Sequence, residues 1–247
     1  MQATDGPVHH RVDITDADTW FTAQLGFVPG QDVTAVDWLA TPTQRLAEVT
    51  AGAVLHDGLG RLAPARARLA WYLHHIWPHL LACQWQRIVQ EGAFVGRCGE
   101  VDDELGSAVV AGRLVRDLMR LCLLTDRRYP PYSKWLGSAF ARIPQAAVLT
   151  PVLTAALAAT DWHTRVHHLA RACETVAAAH NRLGLTGPVD PATSPYHSRP
   201  FPALHAERFT AVLTARITDP AAHTLPLTGT VDQFIDSTDA LSDPQWA

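Results

Sequence analysis

The chain has 247 residues, of which 47% are hydrophobic and 18% charged, a balance that excludes a disordered polypeptide. A net charge of −4 argues against a general nucleic-acid binder, which would be basic. No apolar run approaches the roughly 18–20 residues of a membrane span, and the polar start Met1–Gly6 has no apolar core of a secretion signal. The four cysteines, Cys83, Cys98, Cys122 and Cys173, are far apart and form no Cys-x-x-Cys. They read as reduced thiols in a cytoplasmic protein without a metal or other cofactor.

Taken in order, residues 1–9 are expected to be a flexible tail and 10–247 a single helical domain. His10–Ile14 alternates like a short strand. Thr15 or Asp16 caps a helix that Gly26 stops. Val36–Leu39 forms a short turn, and Thr41-Pro42 opens a helix to about Thr50. Residues 52–62, centred on Asp57-Gly58, read as a β-hairpin. From Pro64 the apolar positions Leu69, Tyr72, Leu73, Ile76 and Leu80 keep a helical period, and Pro78 is expected to kink or divide that helix. Helices then follow over about 79–94, 100–126, 132–142, 145–160 and 161–183, with Pro151 early in the fourth of these and Gly184 ending the last. A Pro-, Ser- and Thr-rich loop covers 185–202. Ala206–Ile217 is another helix, and a short one with an acidic cap lies within 230–239. The fold class is all-α: a bundle of seven to nine helices with one small hairpin.

The stretch Arg127-Arg128-Tyr129-Pro130-Pro131-Tyr132-Ser133-Lys134-Trp135-Leu136-Gly137 is the richest in chemistry. It contains the only lysine of the chain. Two prolines separate the helices on either side, and pockets form at such joints. Arg113, Arg116 and Arg120 share a helix face. Guanidinium forks on one face suit carboxylate or phosphate, or alternatively ion pairs with Asp103, Glu104, Asp117 and Asp126. The candidate ligand-binding residues are Arg97, Arg113, Lys134, Trp77, Trp135, His180 and Asn181, for a small anionic or polar molecule. His75 and Tyr132 are the candidate catalytic residues, imidazole for proton transfer and phenol as donor. His74, His75 and His79 cluster, and His163 and His167 are four apart, but no third ligand completes a metal site. Histidine packed on a core and asparagine at a helix end are the ordinary alternatives for His180 and Asn181.

Several motifs occur in one order: Gln84–Ile88, Phe94–Arg97, Asp103–Ser107, Arg113–Leu121, Arg127–Phe140, His180-Asn181 and Asp232–Phe234. Together the chain resembles, over about residues 10–243, an uncharacterised bacterial family with a nucleotidyltransferase-like N-terminal half and a helical C-terminal domain of unknown function. This chain matches the helical half. It lacks the Gly-Ser turn and paired acids that the other half would supply, so the resemblance implies no nucleotidyl transfer here; Asp16 and Asp18 read as a helix start. Relatives have Pro at Leu73, Asp at His75 and Gly at Asp102. The expected function is therefore acid–base chemistry on a small molecule of specialised metabolism, such as cyclisation, dehydration or isomerisation. The alternative is a non-catalytic module that binds a ligand, a second copy or a separate catalytic chain. A helical-bundle RNase is a third reading. Its Arg-x(4–6)-His pattern fits Arg68–His74, but also Arg199–His205 and Arg216–His223, so it carries little weight. No nucleic acid and no membrane are expected as partners.

Overall fold

A computed structural model describes residues 14–30, 33–217 and 223–242. The proposed strand at 10–14 and the tail before it lie almost wholly outside these. The helices are α1 (Ala17–Leu25), α2 (Ala35–Ala40), α3 (Thr43–Thr50), α4 (Leu62–Arg68), α5 (Ile76–Glu91), α6 (Phe94–Gly99), α7 (Glu104–Thr125), α8 (Ser133–Phe140), α9 (Ala146–Ala158) and α10 (Trp162–Arg182). Then come the two-residue strands β1 (Ser194–Pro195) and β2 (Pro202–Ala203), helices α11 (Glu207–Thr214) and α12 (Val231–Phe234), and a 3-10 turn at Ala240–Ser242. Nine of the described helices run seven residues or longer, and the one described sheet is the antiparallel pair β1–β2. The fold is all-α.

Helix ends follow local chemistry. Asp16, Asp103 and Asp161 each accept a backbone N–H three residues on, at 2.7–2.9 Å, and so start α1, α7 and α10. Gly26 ends α1 at φ +82°.

The expected hairpin at 52–62 does not form. Leu55 is 97% and Leu59 85% exposed, so an alternating strand there would have no face to bury. Asp57 instead turns its carboxylate to the N–H groups of Arg61, Leu62 and Ala63, at 2.9–3.1 Å, and opens α4. The small sheet lies in the loop expected at 185–202, where prolines limit it to Ser194–Pro195 against Pro202–Ala203. The segment expected to be kinked or divided at Pro78 is divided, but ahead of that residue. The chain leaves α4 at Arg68 and restarts at Ile76, so Pro78 falls in the first turn of α5, where its missing N–H has no intrahelical partner to lose.

The core lies where α5 packs on α7 and α11, and α10 on α7 and α9. Trp85 of α5 stacks on Phe209 of α11 at 4.5 Å between ring centres, and its indole N–H donates to His180 Nδ1 of α10 at 3.2 Å. Buried polar groups fasten the C-terminal turn. The Asp232 carboxylate accepts the Thr43 N–H at 2.7 Å, and its carbonyl accepts from Arg120 at 2.7 Å. Gln233 donates to Gln84 Oε1 at 2.9 Å, and at the surface Arg116 reaches the exposed Asp236 at 2.7 Å. Burial raises the Asp232 carboxyl above the usual carboxylate range, although the Thr43 bonds and Arg120 oppose that shift. These bonds fix α3, which forms one wall of the site below.

Candidate functional site

The joint after α7 is held by backbone and aromatic contacts. Arg127 adopts φ +55°, a left-handed conformation that costs a side-chain-bearing residue energy. Its N–H donates to Leu124 O at 3.3 Å and that of Arg128 to Leu123 O at 2.9 Å, which closes the helix end. The turn lays the Arg127 guanidinium over the Trp77 ring, 4.5 Å from its centre. Trp77 is fixed in turn by its indole N–H, which donates to Leu124 O at 2.9 Å. Tyr129 is buried, and its hydroxyl donates to Leu69 O at 2.7 Å. Burial pushes its phenol far up, so it stays neutral. Pro130 O accepts the Thr43 hydroxyl at 2.6 Å, and the Tyr132 N–H donates to Gln44 Oε1 at 3.3 Å. The proline segment is thereby tied to α3 just before α8 begins.

Between α3 and α8 this leaves a cleft of about 520 Å³. Gln44 and Glu48 stand on the α3 side, Arg127 and Arg128 on the joint, and Trp135, Ser138 and Arg142 on the α8 side, over Leu123 and Tyr129. Arg128 pairs with Asp126 at 2.7 Å. Glu48 is occupied by Arg45 at 3.2 Å and by Gln44 at 2.8 Å. Among the described residues, neither Arg127 nor Arg142 has a carboxylate partner. Trp135 is 50% exposed at the same mouth, with the Lys134 ammonium over its ring. Guanidinium forks beside a half-exposed aromatic ring suit an anion attached to a flat apolar body.

The expected site residues do not converge. Trp135 lines the cleft, and Trp77 underlies it through Arg127. Tyr132, the residue before α8, and Lys134 are not among the cleft's lining residues; Lys134 is exposed, its Nζ 5.1 Å from the Trp135 ring centre. His75 is half-buried just before α5, its ring 5.2 Å from that of His74, and is not among the lining residues. Arg97 is exposed on α6 and lies over the Phe94 ring at 5.9 Å. Arg113 is held by Glu91 through two bonds of 2.8 and 2.5 Å, so its fork is occupied.

His180 and Asn181 have structural surroundings. His180 is 1% exposed and receives the Trp85 bond; burial lowers its pKa to about 4. Asn181 clamps Val189, donating to its carbonyl at 2.7 Å and accepting its N–H at 3.0 Å. Cleft residues absent from the sequence-based candidates include Arg142, Gln44, Glu48 and Ser138, and Arg127 and Arg128 were read only as part of the joint. Arg142 had a readable signal: Trp135, Ser138 and Arg142 are spaced three and four apart, one face of a helix.

Residues 38–136 match the model of a family described as "Domain of unknown function (DUF4037)". That segment runs from α2 into α8 and takes in Arg127, Arg128 and Trp135, whereas Arg142 lies beyond it. No curated protein and no solved structure matches the chain. Among the described residues no three His, Cys, Asp or Glu side chains are grouped to hold a metal, and no helix is long and apolar enough to cross a membrane.

Proposed function

We propose that this helical protein binds a small anionic molecule with a flat apolar body in the cleft between α3 and α8. The observation that supports this most is the pair Arg127 and Arg142, two guanidiniums at one mouth without a carboxylate partner among the described residues. An unpaired Arg fork favours phosphate or carboxylate, and the Trp135 face favours an attached ring. Glu48 does not neutralise the mouth, because it is already engaged by Arg45 and Gln44. Fluorescence titration with phenyl phosphate tests the reading. Saturable quenching is expected, weakened about tenfold or more in Arg142→Gln, as for loss of one charge-assisted bond. Quenching that survives both Arg142→Gln and Trp135→Leu unchanged sinks it.

A further inference from the structure

A second cavity lies on the other side of the bundle, under the segment that contains β1 and β2. That segment is fastened at several points. Thr193 donates its N–H and hydroxyl to Glu174 at 2.9 and 2.6 Å, and Arg199 pairs with Glu100. Phe201 lies flat on Gly96, where a Cβ would meet its ring at 2.7 Å, so only glycine permits this approach. Two of its non-glycine residues, His197 and His205, sit at φ +55° and +54°. Beneath it is a space of about 270 Å³ with an apolar floor that includes Ile88, Leu114, Leu169 and Cys173. Burial drives the Cys173 thiol up to about 12, so it counts as an uncharged wall. The volume equals roughly nine waters' share of the liquid, but an apolar floor offers water few bonds.

The mouth has a specific polarity. His205 Nε2 donates to Pro195 O at 3.3 Å, since a carbonyl only accepts. In the neutral ring this leaves the lone pair on Nδ1. That atom faces Glu207 Oε1 at 3.6 Å, too far for a direct bond. With the ring neutral, two acceptors stand side by side at the entrance, and a donor between them would satisfy both; in the imidazolium form Nδ1–H itself faces Glu207. A primary ammonium has three N–H donors and the charge opposite to that of Glu207.

We infer that this cavity is a second ligand site, independent of the α3–α8 cleft, which takes an aliphatic primary amine. The chain lies on the apolar floor, and the ammonium bridges His205 and Glu207. The test uses hexylamine, with hexanol and hexanoate as controls, on the full protein, read by calorimetry and by amide NMR shifts. Hexylamine is expected to saturate, to shift Leu169, Cys173 and Ala203, and to bind at least tenfold tighter than hexanoate. Glu207→Gln, a change at a largely exposed side chain, should weaken it about tenfold while leaving phenyl phosphate binding intact. Val89→Trp should block it by filling the space; if that variant does not fold, Glu207→Gln decides alone. Hexanoate binding as tightly as hexylamine would overturn the inference. So would unchanged hexylamine affinity in Glu207→Gln, or no saturable binding at all.

Discussion

The Arg127 guanidinium rests 4.5 Å from the centre of the Trp77 ring. One helix thereby supplies the platform on which the end of another presents its cation. Because Trp77 also donates to Leu124 O, the ring is fixed before any ligand arrives, and less ordering remains for binding to drive.

Substitution at Trp77 separates its two contributions. Trp77→Phe keeps a ring beneath Arg127 but removes the indole bond to the Leu124 carbonyl, which then keeps the longer bond from the Arg127 N–H. It should cost about 1–2 kcal/mol of stability, read by urea unfolding, and change phenyl phosphate affinity by no more than about twofold. Trp77→Leu also removes the cation–π contact and should lower affinity by roughly threefold or more.

His180 makes stability depend on acid. Its folded pKa of about 4 lies below its ordinary value because burial disfavours the imidazolium. Between the two values the unfolded chain binds a proton that the folded one refuses. Stability is therefore fully present above the ordinary histidine value near 6.5 and is lost as pH falls toward 4. From pH 7 to pH 5 the loss should be on the order of 2 kcal/mol. Urea melts of the wild type and of His180→Gln at the two pH values check this: the variant should start less stable at pH 7 and fall less.

Asp232 and Arg120 are both buried at the seat of α12. Asp232→Ala would leave the Thr43 N–H unbonded and remove one of the three carboxylates, with Asp117 and Asp236, whose charge favours the buried Arg120 cation. A loss of about 3 kcal/mol is expected, with Asp232→Asn costing less because its amide oxygen still accepts from Thr43. Since Thr43 starts α3, Asp232→Ala should also weaken the cleft's ligand.

Asp102 sits at φ +59°, just before α7. Glycine adopts this left-handed backbone without the cost that a Cβ brings. Asp102→Gly should raise stability by about 0.5 kcal/mol, the relief of αL strain less the added freedom of the unfolded chain. Thermal melting of the two proteins decides it, and a lower melting temperature would show Asp102 to be held by something else.

Much of the fold could be read because helix ends are local events. Asp16 and Asp161 reach N–H groups three residues away, and both starts were legible; Asp103 does the same, but the sequence placed that helix start at about 100 and missed the break between α6 and α7. The hairpin failed for the same reason. Asp57-Gly58 announced a turn correctly, yet whether strands flank a turn depends on a distant face to bury them. The site was legible only in part. Trp135 was found within the joint, but Arg113 looked available because its partner Glu91 lies 22 residues earlier on another helix. His180 looked like a ligand contact because its partner Trp85 is 95 residues away. Arg142 showed the opposite error: its face was visible in the spacing, but nothing in the sequence marked it as lacking an acid.

The central claim is that Arg127 and Arg142, not the arginines expected on α6 and α7, hold the anion. Calorimetric titration of phenyl phosphate into the wild type, Arg97→Gln and the Arg127→Gln/Arg142→Gln double variant tests it most directly. The account predicts one-to-one binding, unchanged in Arg97→Gln and lost in the double variant. Equal affinity in the wild type and the double variant, or loss of binding in Arg97→Gln alone, would contradict it.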